Sequence, residues 1–371
     1  MAETTDVAII GGGAAGCAVA YYLAQSGVKS TIIEREGLGN QASGYAAGGL
    51  NPLTGVGIPG PLGDFAWECY ELHAGLYEGL KDASGIDYQH RTVAKIDVAL
   101  EESEIDGFKE TAERLNAAPG FEARWMDTDE VLKLEPRIAP GILGGLYDYG
   151  NTAADSHKLT NAYATASGAT IHEGNVTGLE SSGGKVDRVM LADGEISCGQ
   201  VVMAMGPWSR KAEAWLGVYI PVDPLKGEIL RLELNSGPIN YDISGGGASI
   251  YPKLDGLNWC GTTEDWKGFD RSLSEEVAKE IRRRLDRVFP ELANAKLARH
   301  TACLRPVTPD WLPVLGQAPG WENVYFATGA GKKGILLSPG IGKSVADLMT
   351  TGETTLSIKG YSPERFATQI D

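Results

Sequence analysis

The sequence predicts an α/β fold in which one largely parallel sheet is assembled from segments far apart in the chain. Three observations carry this. An apolar run, Val7–Ile10, passes through a glycine cluster into a small-residue helix and then a second apolar run. A second strand–glycine–helix pattern starts at Val324, near the other end of the chain. Between the two lie β-rich blocks interrupted by charged helices, and 371 residues suffice for two or three domain-sized units.

Taken in order, Val7–Ile10 is the short apolar run expected of a strand buried on both faces. Gly11, Gly13 and Gly16 follow as G-x-G-x-x-G. The first glycine allows a tight turn, the second lets backbone approach a pyrophosphate, and the third lets the helix pack on the strand. Ala14 and Ala15 open a helix that runs to Ser26 and ends at Gly27. "KSTIIE" is the second strand, closing on Glu34, eighteen residues past Gly16, where an acid can bind ribose hydroxyls. Strand, helix, second strand and terminal acid in this register predict a Rossmann-type dinucleotide site, with the phosphates at the helix N-terminus. Next comes "GLGNQASGYAAGGLNPLTGVGIPGPLGDF", a long loop of small residues with few charges. It is expected to pack around an extended cofactor, and at this point either NAD or FAD fits.

Phe65–Lys81 is predicted helical, with Trp67, Tyr70, Leu72 and Leu76 available for burial. "TVAKIDVAL" and "LGGLYDYG" read as strands around a charged helix, Glu101–Asn116, and Asp155–Ala166 reads as another helix. A meander follows and closes on the apolar strand Val201–Met205, ahead of Gly206-Pro207-Trp208. Further strands are expected near "EILRLEL", "ASIYPKL" and "NWCGTTE", then the amphipathic helix of "SEEVAKEIRRRLDRVFPEL". Val324–Thr328 is a strand, and a glycine-rich turn leads to a helix from about Pro339 to Met349. The nucleotide domain is therefore expected to be discontinuous (1–80, 151–215 and 300–371), with a second domain (81–150 and 216–299) inserted twice.

Composition narrows the function. A net charge of −16 opposes nucleic-acid binding, which needs a cationic face. Five scattered cysteines with no C-x-x-C pair read as free thiols in a reducing cytoplasm, and five histidines without ligand spacing predict no metal. No apolar run is long enough for a signal peptide or a membrane span.

Seven segments together resemble one family: "IIGGGAAG", "ASGYAAGGLNP", "VMAMGPWS", "PLKGE", "CGTTEDWKGFD", "CLRPVTPDWLPVLG" and "GILLSPGIG". In order and spacing, across nearly the whole chain, they resemble the D-amino acid oxidase and glycine oxidase flavoproteins. That group also holds sarcosine oxidases and D-amino acid dehydrogenases. The resemblance implies FAD rather than NAD, a Rossmann-type FAD domain, and an α+β substrate domain on a mixed sheet. It also implies oxidation of a C–N bond in an amino acid or small amine.

By the same resemblance, Gly11, Gly13, Gly16, Glu34 and Arg35 lie on the adenosine side. Ser43 and Gly44 lie near the pyrophosphate, and Gly48, Gly49 and Leu50 near the flavin ring. Val176 matches a backbone contact to adenine, and Ala204, Gly206 and Trp208 match a further cofactor contact. Gly329, Lys333, Gly334, Ile335 and Leu336, with Leu337, match the loop beside the flavin's pyrimidine edge. Arg305 matches the arginine that clamps the substrate carboxylate. The family's active-site tyrosine aligns with Ser249, and Tyr251 is expected nearby on the opposite strand face. Cys303 stands where sarcosine oxidases carry a flavin-linked cysteine. The neighbourhood is otherwise of the glycine oxidase type, so FAD bound without a covalent bond is expected, although Arg305 or His300 could favour a thiolate. Lys332 and Lys333 read either as solvated loop lysines or as charges near the flavin, with Lys267 a weaker candidate of the same kind.

The expected reaction holds an amino acid by its carboxylate and delivers hydride from Cα to flavin N5. The resulting imine hydrolyses to a keto acid and ammonia, with dioxygen as electron acceptor. Two alternatives stay open: a dehydrogenase passing electrons to a quinone or other carrier, and the FAD module of a tRNA-modifying enzyme, whose loop resembles "ASGYAAGGLNPL".

Overall fold

The computed structural model describes residues 3–369. The chain divides into two compact units. The first comprises the residues up to His90, Ala154–Leu225, and those from Leu304 onward; the second comprises Arg91–Ala153 and Lys226–Cys303.

The first unit is built on a sheet whose strands run in the order Val314–Gln317, Val324–Thr328, Glu195–Met203, Glu3–Ile10, Ser30–Glu34, Thr170–Glu173. All neighbours pair in parallel except Val314–Gln317, which is antiparallel to Val324–Thr328. A hairpin, Val176–Ser182 with Lys185–Leu191, adds to the start of Glu195–Met203. Successive side chains of the N-terminal strand enter two different cores, as a two-residue period requires. Val7 and Ile9 face the helices Ala14–Gln25, Gly63–Ser84, Ser156–Ser167 and Gly334–Thr350, while Ala8 and Ile10 join Val201, Met203 and Phe326. The first and last of these helices cross at Gly342, where an added Cβ would lie 2.6 Å from the backbone of Ala18. Only glycine fits there.

The second unit carries an eight-stranded mixed sheet in the order Lys296–Val307, Asp223–Glu233, Leu257–Gly261, Ala248–Pro252, Tyr241–Gly245, Ala94–Ala99, Gly144–Tyr149, Glu122–Met126. Alternation gives it one apolar face. Ile96, Ile243, Ile250 and Leu230 pack with Ile281, Leu285 and Val288 of the helix Glu275–Val288. The opposite face is polar, because Lys95 pairs in register with both Asp148 and Asp242.

Several expectations are corrected. Ser249 and Tyr251 share a face, since both alternate with buried Ala248 and Ile250; residues two apart on a strand always do. The helix predicted at Phe65–Lys81 spans Gly63–Ser84, and its fully buried residues are Phe65, Ala66, Cys69, His73 and Leu80. Trp67, Tyr70, Leu72 and Leu76 are partly buried, as expected, with Tyr70 and Leu76 packed against this core. The last long helix begins at Gly334, not near Pro339, which sits inside it. A proline there removes a helical hydrogen bond, which is why the sequence reads as a turn. Among the described residues no helix is long and apolar enough to cross a membrane.

Candidate dinucleotide-binding and active site

The glycine cluster leaves the end of the first strand in a conformation only glycine holds easily. Gly11 has φ +116°, and a Cβ placed on it would fall 2.2 Å from the carbonyl oxygen of Ala204. At Gly16 a Cβ would meet the Gly11 carbonyl oxygen at 2.1 Å. The helix Ala14–Gln25 then starts with Gly13 as N-cap, which offers no side-chain acceptor, and its first turn holds no acid. Ser43 Oγ, from the long loop, accepts from the Ala14 N–H at 2.9 Å. A helix N-terminus with no acid in its own first turn suits a pyrophosphate.

Glu34 closes the second strand beside this turn. Its carboxylate accepts from the Gly12 N–H at 2.8 Å, from the Arg35 N–H at 2.8 Å and from the Glu36 N–H at 2.9 Å. The side chain is thereby fixed at the strand end. The Arg35 guanidinium stacks 4.1 Å from the centre of the Trp208 ring, which brings together two candidates that are 173 residues apart in sequence. Ala204 donates its N–H to the Ile10 carbonyl, so the turn before Gly206 lies against the glycine cluster. Val176 opens the outer hairpin strand and is half-buried.

A second group of candidates gathers where the helix Gly334–Thr350 begins. Lys333 Nζ donates to the carbonyl of Thr54 at 2.6 Å and to that of Asn51 at 3.2 Å, tying the loop beyond Gly48, Gly49 and Leu50 to the helix start. Leu50, Ile335 and Leu336 are buried, Gly44 and Gly48 are buried, and Gly49 is exposed. The strand bearing Arg305 joins the same turn: Gly331 donates its N–H to the Pro306 carbonyl at 2.8 Å, and Val307 bridges to Ala330. Arg305 is half-buried, two residues along from buried Cys303 and Val307. Gly329 precedes the turn with φ +75°. Lys332 is exposed, with its ammonium 5.1 Å from the centre of the Trp311 ring.

Tyr251 belongs to the second unit, on the polar face of its sheet. Burial raises the pKa of its phenol, against the opposing pull of the Lys95 ammonium and a hydrogen bond with Ser249. On that face burial also pushes the Asp148 carboxyl up to about 7 and that of Asp242 up to about 6. Lys95 lies between them and pairs with Asp97 at 2.7 Å. In the "PLKGE" segment Lys226 and Glu228 form a buried ion pair at 3.2 Å, and Glu228 also meets His300 at 2.8 Å.

One residue escaped the sequence reading altogether. His73 is fully buried on the helix Gly63–Ser84, and its Nε2 lies 3.0 Å from the carbonyls of both Ile335 and Leu336. The signal was available, since His73 continues the four-residue spacing of Phe65 and Cys69 on the buried face.

A parallel sheet with a glycine turn, a helix start with no acid in its first turn and an anchored acid at the next strand end defines a dinucleotide-dependent enzyme. The family described as FAD dependent oxidoreductase (DAO) matches residues 6–348. The chain belongs to that family, and its cofactor is FAD. It is 30% identical to the glycine oxidase of Bacillus licheniformis over 370 residues, covering 98% of each chain. The crystal structure of glycine oxidase from Geobacillus kaustophilus superposes with a TM-score of 0.90 at 29% identity, covering 97% of this chain and 98% of that one. A D-amino acid dehydrogenase of Xanthobacter autotrophicus is 26% identical, over 97% of this chain and 99% of its own. The protein is thus an FAD-dependent oxidoreductase of the glycine oxidase type. The close approach at Gly11 and the Glu34 anchor fit this cofactor.

Proposed function

We propose that the protein oxidises the C–N bond of a small amino acid or amine and passes the electrons to dioxygen. FAD, held by the Gly11–Gly16 turn, Glu34 and Lys333–Leu336, would supply the two-electron acceptor for the hydride that leaves Cα. Water then hydrolyses the imine to a keto acid and ammonia, so no side-chain base is needed beyond a site that holds the amine neutral. The observation that carries the reading is full-length similarity to glycine oxidases, with Arg305 half-buried beside the Ala330–Gly331 turn.

In this reading Arg305 clamps the substrate carboxylate through a planar, charge-assisted pair. Tyr251 and Lys332 are the other polar groups assigned to catalysis. The segments Gly11–Gly16, Glu34–Arg35, Ser43–Gly44 and Gly48–Leu50 hold FAD, together with Val176, Ala204, Gly206, Trp208, Gly329 and Lys333–Leu336. The first unit is accordingly the FAD-binding one and the second the substrate domain. Cys303 acts as a small buried side chain and forms no bond to FAD.

The D-amino acid dehydrogenase relative supports a second reading, in which a quinone or other carrier takes the electrons. Aerobic turnover of glycine and other small amino acids, followed by peroxide release, separates the two. Peroxide formed in step with ammonia supports the oxidase. Ammonia formed only on adding an artificial acceptor supports the dehydrogenase.

A further inference from the structure

The helix Gly334–Thr350 has a proline at its sixth residue, and its early turns are nonetheless helical. Pro339 has no N–H, so the Ile335 carbonyl loses the donor that an α-helix would supply from four residues ahead. Ile335 is 7% exposed, which leaves water little access to that oxygen. An unmet buried carbonyl is costly, and the turn would be expected to unwind or kink there.

Two groups meet it instead. Ser338 Oγ donates to the Ile335 carbonyl at 2.9 Å from within the same helix. The second donor comes from another helix: His73 Nε2 lies 3.0 Å from the Ile335 carbonyl and 3.0 Å from that of Leu336. Because both partners are carbonyls, Nε2 carries the proton, and the neutral ring shares one N–H between two acceptors. Burial pulls the His73 pKa down to about 4, against the pull of these two bonds, so the ring stays neutral near pH 7. One turn earlier on the same face, Cys69 Sγ lies 3.7 Å from the Leu337 carbonyl. Three consecutive carbonyls thus face one side of the Gly63–Ser84 helix. The two helices are too close there for a side chain at Gly340, whose Cβ would fall 2.8 Å from the Phe65 ring. Ser338 lies in the same helix as the carbonyl it serves, whereas His73 reaches that carbonyl from the Gly63–Ser84 helix.

We propose that His73 is a positioning residue: it supplies the hydrogen bond that Pro339 withholds from Ile335 and so sets the first turn of the Gly334–Thr350 helix against the flavin. This rests on the assignment of Lys333–Leu336 to the flavin site. The positive end of a helix favours an anion within its first turn, and the reduced flavin ring is anionic when held there. Loss of the anchor therefore makes the flavin harder to reduce while leaving the rest of the FAD site in place.

The test is the midpoint potential and visible spectrum of the FAD-loaded protein. His73→Leu removes the donor, and His73→Gln places an amide N–H close to the Nε2 position. His73→Leu is expected to lower the two-electron potential by about 30 mV, equivalent to a tenfold change, and to shift the flavin absorption bands. His73→Gln is expected to restore both. If His73→Leu does not accumulate, His73→Asn, whose amide nitrogen sits short at the Nδ1 position, takes its place with the same expectation. A wild-type potential and spectrum in the donor-less variant, with only a lower melting temperature, would overturn the inference. So would a His73→Gln protein no different from His73→Leu. Failure of every amino acid to reduce the wild-type flavin would instead remove the proposed reaction and leave the potential shift standing.

Discussion

Gly11→Ala puts a backbone strain and a backbone clash together into the cofactor turn. Two costs add. The backbone at φ +116° lies outside the region that an alanine adopts freely, which costs roughly 1–2 kcal/mol. The new methyl would also stand 2.2 Å from the Ala204 carbonyl oxygen and 2.8 Å from its carbon, both backbone atoms that cannot rotate away. Relief requires a shift of about 1 Å in either the turn or the Met203–Met205 segment, and overpacking of this kind costs roughly 1–3 kcal/mol. The turn that approaches the pyrophosphate is the part displaced. FAD affinity is therefore expected to fall by roughly 30-fold or more, the equivalent of about 2 kcal/mol. Gly27→Ala is the control. Gly27 has φ +75° but nothing within 4 Å of a built Cβ, so it carries the backbone cost alone, far from the turn. The assay is quenching of FAD fluorescence on titration of the apoprotein, with melting temperatures for both variants. Gly27→Ala should lower stability slightly and bind FAD as the wild type does. If Gly11→Ala also bound FAD with wild-type affinity, the reasoning from the turn's geometry would be refuted.

Arg305→Lys should slow flavin reduction by amino acids roughly 30-fold or more, since breaking a desolvated charge-assisted pair costs about 2–5 kcal/mol; simple amines should be affected much less, and equal losses for both would contradict the carboxylate role. Asp148 and Asp242 hold their protons to about pH 7 and about pH 6 because of burial, whereas the unfolded chain releases them near pH 4. The folded state therefore binds more protons in that window, and stability falls as pH rises from about 4 to 7. Asp148→Asn removes one of the two titrations, so its unfolding midpoint should decline less than the wild type's between pH 5 and pH 8; parallel curves would rule this out. In the proposed reading Cys303 is not bonded to FAD, so acid precipitation should leave all the yellow colour in the supernatant, and a fluorescent band on a denaturing gel would reverse that assignment.

The strands and the cofactor turn were legible because their chemistry is local. Val7–Ile10, Gly11–Gly16 and Val324–Thr328 each announce themselves within a few residues, and the structure places strands and a helix start there. The strand Lys296–Val307 did not, because exposed Arg299 and the terminal Pro306 blur its alternation. Glu122–Met126 is an edge strand with only two buried residues, too few to show a period. The start of the last helix, at Gly334, is hidden from any local window by Pro339. The Ile335 carbonyl that the proline leaves without a helical donor is met by Ser338 and by His73, 262 residues away. The Arg35–Trp208 stack and the Ser43–Ala14 bond likewise depend on chain segments that only the folded sheet brings together.

In the proposed reaction an amino acid held in this site reduces the bound flavin through its C–N bond. The most direct measurement is anaerobic mixing of the FAD-loaded protein with glycine, sarcosine, proline and a panel of D- and L-amino acids, following the flavin absorbance. Bleaching by at least one of them is expected, with one keto acid or aldehyde-acid product and one amine or ammonia released per flavin reduced. A flavin that dithionite reduces but that none of these substrates bleaches would contradict it.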